Sequence, residues 1–207
     1  MENKEYFNEI AGEWDTMRQN FFSNEVRETA LAIAEVQPGK VAADIGAGTG
    51  FLTEALLKQG LKVIAVDHSQ EMLDQIRKKF AGSNRVETRL GESEQLPLLE
   101  ESVDYVFANM YLHHVESPSD AVREMARILK PGGVMVITDA REHNFEFLRK
   151  EHHDRWMGFK YDDIRRWFAD AGLKDINVSD IGQNCNVTSA CGSDKAAIAI
   201  FAAAGRK

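Results

Sequence analysis

Short, β-branched apolar runs alternate along the chain with longer stretches whose apolar residues recur every three or four positions. Val41-Ala42-Ala43-Asp44-Ile45, Lys62-Val63-Ile64-Ala65-Val66-Asp67, Arg85 to Leu90, Val103 to Ala108 and Val134 to Thr138 read as strands. Between them the spacing predicts amphipathic helices. Thr49 to Lys58 turns Leu52, Ala55 and Leu56 inward, Ser69 to Phe80 turns Met72, Leu73 and Ile76 inward, and Ser119 to Leu129 does the same with Ala121, Val122, Met125 and Ile128. Ser69 suits an N-cap and Gly60 a helix stop. Pro38, Pro97, Pro118 and Pro131 each fall where an element should begin or end.

Strands alternating with helices predict right-handed crossovers and a parallel sheet covered on both faces. The ends break the pattern. Residues 1–37 are helical in period and rich in aromatics: Tyr6, Phe7, Trp14, Phe21 and Phe22. Residues 141–160 carry many charges and histidines. A last helix, Tyr161 to Ala171, stops at Gly172, and two strands follow, Asp175 to Asp180 and Ala196 to Ala203. The expected fold is α/β and Rossmann-like: a seven-stranded, mostly parallel sheet with helices on both faces and an N-terminal helical lid. The expected division is a lid over 1–37 and a ligand-binding region over 38–207, within one domain overall.

Bulk properties narrow the partners. Of 207 residues, 43% are hydrophobic, enough for a sizeable core. The net charge of −8, from 33 acidic and 25 basic residues, disfavours a surface that tracks phosphates, so no nucleic-acid partner is expected. No run of eighteen apolar residues exists, so no membrane span is expected. Met1 to Glu13 is polar and acidic, unlike a signal peptide, and a cytoplasmic location is the expectation. Cys185 and Cys191 are too few for a disulfide framework and are expected to be free thiols. Monomer and homodimer both fit the pattern.

The chemistry starts at Asp44-Ile45-Gly46-Ala47-Gly48-Thr49-Gly50, which follows a strand and opens a helix. Glycines there let the backbone approach a ligand, and the helix N-terminus offers unpaired N–H groups. The dinucleotide fingerprint needs glycines at the first, third and sixth places. Here they stand at the first, third and fifth, with Phe51 sixth. That argues against a nicotinamide oxidoreductase. No lysine stands where a phosphate loop needs one, because Lys58 lies far down the helix. Asp44 would repel phosphates but suits an ammonium. Asp67, ending the second strand, can accept from two ribose hydroxyls or can simply cap the helix after it. A ligand with a ribose, an ammonium and no phosphate is S-adenosylmethionine.

In these residues the chain resembles the class I S-adenosylmethionine-dependent methyltransferases, and within them the ubiquinone/menaquinone-type and arsenite-methyltransferase-like branch. Five blocks match in order: Asp44 to Gly50, Val66 to Ser69, Gly91 to Pro97, Asp104 to Asn109 with Leu112 to Val115, and Arg127 to Gly133. The resemblance covers roughly residues 4–140. It implies that Gly46, Ala47, Gly48 and Gly50 form the loop around the methionine end and ribose. Asp67 would bind the ribose hydroxyls, and His68 and Met72 would lie against the adenine. Glu92, an aspartate in many relatives, would accept from the exocyclic amine, with the Ser93 backbone facing the ring. The Asn109 carbonyl would meet the ammonium beside Asp44. The implied activity is in-line methyl transfer to a small-molecule acceptor.

The acceptor side is less defined. His113 and His114 are candidates for a base or for orienting the acceptor. Tyr6, Trp14, His152, Trp156, Cys185 and Cys191 are candidate lid or acceptor residues. The run Glu151-His152-His153-Asp154 fits no metal-ligand spacing, so no metal is expected. Two alternatives remain open here: a module that binds S-adenosylmethionine or S-adenosylhomocysteine without turnover, and methylation of a thiophilic metalloid such as arsenite held by the two cysteines.

Overall fold

In the computed structural model, which describes residues 3–207, five strands run parallel: β1 (Val41–Ile45), β2 (Lys62–Asp67), β3 (Val86–Leu90), β4 (Val103–Asn109) and β5 (Leu129–Ala140). Two more, β6 (Lys174–Thr188) and β7 (Lys195–Arg206), join through the antiparallel β5–β7 and β6–β7 pairs. The order across the sheet is β3-β2-β1-β4-β5-β7-β6. The seven-stranded, mostly parallel sheet is therefore as expected.

The helices are α1 (Asn3–Ile10), α2 (Trp14–Gln19), α3 (Glu25–Ala34), α4 (Phe51–Lys58), α5 (Gln70–Lys79), α6 (Pro118–Ile128), α7 (Glu146–Glu151) and α8 (Tyr161–Asp170). Central strands carry small or β-branched residues buried on both sides. Ala42, Ala43 and Val106 are completely buried, so helices approach both faces closely. On one face Leu31, Leu52, Leu56 and Leu61 pack on Phe107 and Val136. On the other, Val122, Met125, Ile164 and Phe168 pack on Val106, Met135 and Phe201. Strand order reverses between β1 and β4, which opens a crevice at their C-terminal ends.

Several boundaries differ from the pattern, each for a local reason. Helix α4 begins at Phe51 rather than Thr49, because Gly50 caps it in a left-handed conformation. Strand β5 begins at Leu129, which pairs with Val103; the register then shifts, and Val134 pairs with Tyr105. Pro131-Gly132-Gly133 is thus an irregularity inside the strand rather than a turn before it. Strand β6 departs most. A register shift between Asp180 and Gln183, with Gly182 at φ 69°, carries it on to Thr188. That extension pairs Cys185 with Ile198.

The segment 1–37 divides in two. Residues of α1 and α2 reach the strand ends, whereas α3 buries Ala30, Leu31 and Ala34 beside α4 on the sheet. No helix among the described residues is long and apolar enough to cross a membrane.

Candidate active site

Two adjoining cavities, about 600 and 560 Å³ with their open mouths, lie over the strand ends. Both sizes suit a small ligand. Phe7, Trp14, Phe22, Met110 and His114 wall both of them, so the two spaces are neighbours with a common partition.

The first cavity is built on the glycine loop. Asp44, Gly46, Ala47 and Gly48 line it, as do Asp67, His68, Met72 and Asn109. Asp67 is buried, and both its oxygens hold backbone: Oδ2 accepts from Gly48 N at 2.8 Å and Oδ1 from Ser69 N at 2.9 Å. It clamps the loop to the α5 turn, and each oxygen keeps a lone pair for a hydroxyl. Holding the backbone and lining the cavity therefore coexist in Asp67. Burial pushes its pKa up, against the pull of His68 and the backbone N–H donors. Asp44 is buried with Thr53 Oγ1 at 2.6 Å; burial raises its pKa to about 6.

Three residues of this cavity escaped the sequence reading. Tyr111 lies so close over Gly46 that a Cβ there would sit 2.1 Å from its ring. Its phenol bonds to Ser93, and burial holds its pKa above the usual value. Arg18 projects from α2 with its guanidinium carbon 4.0 Å from the Phe51 ring centre, and its Nε is buried without a hydrogen-bond partner. Burial lowers its pKa, yet an arginine stays charged at neutral pH. Met110 turns the chain at φ 48°, a conformation that a bulky side chain adopts only when its surroundings impose it.

The other predicted donor residues lie elsewhere. Gly50 caps α4 and does not line the cavity. Glu92 is largely exposed, with Oε2 3.5 Å from His68 Nδ1, and so stands at the rim. Ser93 is buried, donates to Glu94 and touches Tyr111, which stands between it and the loop.

The second cavity has an aromatic wall from Tyr6, Phe7, Trp14, Phe21 and Phe22 and an apolar wall from Leu148, Val187 and Ile198. Cys185, His143 and His152 also face it. Its most polar side holds His113, His114 and Asp154. His113 Nδ1 lies 2.6 Å from Oδ1 of the completely buried Asp139. Burial draws the His113 pKa down, but Asp139 and Asp154 outweigh it and push the value up to about 9. Burial and the neighbouring His113 hold His114 well below the usual histidine value. Burial raises Asp154 to about 6.

Two predicted acceptor-side residues do not come here. Trp156 donates from its indole to Val115 O and borders a separate surface hollow. Cys191 is exposed near the β6–β7 connection, against Ser193 and Ser189. Cys185 is buried, and burial pushes its thiol up to about 12. The two thiols do not converge on one cavity, and the buried one is no thiolate at neutral pH, which removes the geometry a metalloid site needs.

Residues 43–137 match the family described as a methyltransferase domain. An uncharacterised methyltransferase of Mycobacterium tuberculosis is 40% identical over 108 residues, which is 52% of this chain and 43% of that protein. The 2-methyl-6-phytyl-1,4-hydroquinone methyltransferase 1 of Oryza sativa, a chloroplast protein, is 31% identical over 167 residues, 78% of this chain and 49% of that protein. The chain thus spans less than half the length of these two relatives. Among solved structures, the YcgJ protein of Bacillus subtilis superposes with a TM-score of 0.74 at 19% identity, covering 89% of this chain and 99% of that one. Residues 43–137, somewhat under half of the chain, are thus similar to a methyltransferase domain.

Proposed function

We propose that the chain moves a methyl group from S-adenosylmethionine in the first cavity to a small, flat, apolar acceptor in the second. The observation that carries this is the shared partition: the same five side chains wall both spaces, so a donor and an acceptor would meet across it. When bound, S-adenosylmethionine supplies a methyl group already activated on a sulfonium.

The residues fit that ligand. Asp67 presents two acceptors to ribose hydroxyls. Asp44 and the Asn109 carbonyl face an ammonium. Arg18, buried with an unpaired Nε beside the loop, suits a carboxylate. His68 and Met72 offer flat and apolar surface to an adenine. Glu92 stands at the rim and Ser93 behind Tyr111, so neither lines the cavity.

On the acceptor side, five aromatic rings from α1, α2 and the segment after α2 exclude water and favour a planar molecule. The hydroquinone in the name of the rice relative is an acceptor of that shape. Holding both partners in line supplies much of the rate, up to roughly 7–11 kcal/mol for well-oriented groups. Charge disperses as the methyl passes, so a dry, apolar partition helps.

The test is turnover. S-adenosylhomocysteine release would be followed with a panel of phenols, quinols, amines and thiols, and donor binding measured separately by calorimetry. Tight donor binding with release stimulated by a planar aromatic supports the proposal. Donor binding without stimulation by any aromatic member would overturn the acceptor class.

A further inference from the structure

We propose that His113, His114 and Asp154 hold a divalent transition-metal cation at the polar side of the acceptor cavity. The role of that ion rests on the function proposed above; its binding does not.

One ligand atom from each of the three residues lies within 4.8 Å of the others. His113 Nε2 is 3.9 Å and His114 Nδ1 is 3.8 Å from Asp154 Oδ1, and all three side chains are only 9% exposed. Those separations are too long for hydrogen bonds. They suit an ion placed between the groups. Ligands on a tetrahedral ion with bonds of about 2.0–2.1 Å stand about 3.4 Å apart, so the two contacts to Asp154 need to close by about half an ångström and the two imidazoles by up to about 1.4 Å. No hydrogen bond among the described residues engages the buried Asp154 carboxylate.

The surroundings are those of a prepared site. Asp139 receives His113 Nδ1 at 2.6 Å and also accepts from Leu112 N at 2.8 Å and Ala140 N at 2.7 Å. It keeps a hydrogen on Nδ1 and turns Nε2 toward Asp154. A carboxylate behind a ligating imidazole is the usual second support of a metal site. The loop bearing Asp154 is tied to the same turn: Arg155 N and Trp156 N both donate to His113 O, at 3.0 and 3.1 Å, and the Trp156 indole donates to Val115 O. Trp156 thereby positions a ligand without lining the cavity. Two buried carboxylates, Asp139 and Asp154, face these imidazoles, and a divalent cation balances both charges.

Two imidazoles and one carboxylate suit zinc, cobalt, iron or manganese better than magnesium or calcium. Three protein ligands leave a coordination position open toward the cavity, the arrangement of catalytic rather than structural sites. The acceptor class this selects carries an oxygen ligand, such as a phenol. Its O–H proton leaves to solvent on binding. The C–O bond then forms as the C–S bond breaks, with the electron pair of that bond remaining on sulfur.

The full chain, without a histidine tag, would be stripped with chelator and titrated with Co²⁺ alone. Visible absorption, mass-spectrometric metal content, circular dichroism and S-adenosylmethionine affinity would be read on the same samples. One equivalent of Co²⁺ with nitrogen- and oxygen-type bands is expected. Asp154→Asn and His113→Ala should lower Co²⁺ affinity at least tenfold, and Asp139→Asn by roughly 10–100-fold. Cys191→Ser should leave it unchanged, which excludes the exposed thiol as the ligand. Absence of stoichiometric uptake, or uptake unaltered in folded Asp154→Asn, would overturn the site. Because uptake is read without donor or acceptor, that failure is separate from failure of methyl transfer, and turnover of the chelated protein would refute only the ion's catalytic part.

Discussion

The two cavities share a wall but are assembled by different means. The cavity proposed for the donor is anchored on backbone: a loop whose left-handed Gly46 and Gly48 line it, the carboxylate that clamps it, and the ends of adjacent strands. The acceptor cavity is made of side chains from α1, the turn after β4, α7 and the loop after it, and the extended β6–β7 pair. A backbone site tolerates little change at a few positions. A side-chain site spreads its energy over many contacts, and most single changes there should alter fit rather than destroy binding.

The largest effect expected of that contrast is at Gly46. An added Cβ would meet Tyr111 at 2.1 Å, and the backbone there has φ 67°. Gly46→Ala therefore combines a left-handed strain of about 1–2 kcal/mol with displacement of the ring. Calorimetry should show donor binding lost by at least about a hundredfold, and the melting temperature should fall. If donor binding survived in Gly46→Ala, the loop would not be the backbone cradle described.

Next comes Asp67→Ala. Hydrogen bonds to a charged group are worth roughly 1.5–3 kcal/mol each, so donor affinity should drop about tenfold or more. The variant also releases Gly48 N and Ser69 N, and amide exchange at those two positions should speed up. Unchanged affinity in a folded variant would leave Asp67 a clamp alone.

The contrast also explains what could be read before the fold was known. A glycine that must take positive φ, an acid closing a strand and a serine capping a helix are consequences of short-range backbone geometry, so Gly46, Asp67 and Ser69 announce themselves in a few residues. The seven strands followed for the same reason, because each apolar run carries its own period. Arg18 did not stand out: one arginine among aromatics reads as a solvated charge until α2 lies over Phe51. The His113, Asp139 and Asp154 grouping joins positions 26 and 15 residues apart, and only the paired strands and the Arg155 and Trp156 hydrogen bonds bring them together. The end of β6 was hidden by its polar residues and by Gly182, which looks like a stop but serves as a bulge.

Asp44 sharpens the comparison through pH. Its folded pKa, about 6, stands above the ordinary carboxylate value of 3.8, chiefly through burial. Between those two values the folded state holds the proton more tightly than the unfolded chain, so this group's contribution to stability falls as pH rises through about 4 to 6. Above pH 6 a buried carboxylate remains, held by Thr53 and available to an ammonium. Donor affinity should thus rise severalfold from pH 5 to pH 7. Asp44→Asn should flatten that rise, weaken binding at pH 7 and stabilise the empty protein there. Thermal melts and calorimetry across the range check both signs, and a wild-type affinity that is level with pH would refute the role.

The smallest effects belong to the cysteines, and they separate the cavities most cleanly. Cys185 packs with Val187, Ala196 and Ile198 on the acceptor side, and its thiol is protonated at any physiological pH. Cys185→Ala removes one buried sulfur and should cost about 1 kcal/mol of stability. It should raise the acceptor KM, because the cavity loses part of its wall, while donor affinity stays as it was. Cys191→Ser changes an exposed group already bonded to two serines and should alter neither. Loss of donor affinity in Cys185→Ala would mean that the partition transmits packing changes from one cavity to the other, and the division between backbone site and side-chain site would then fail.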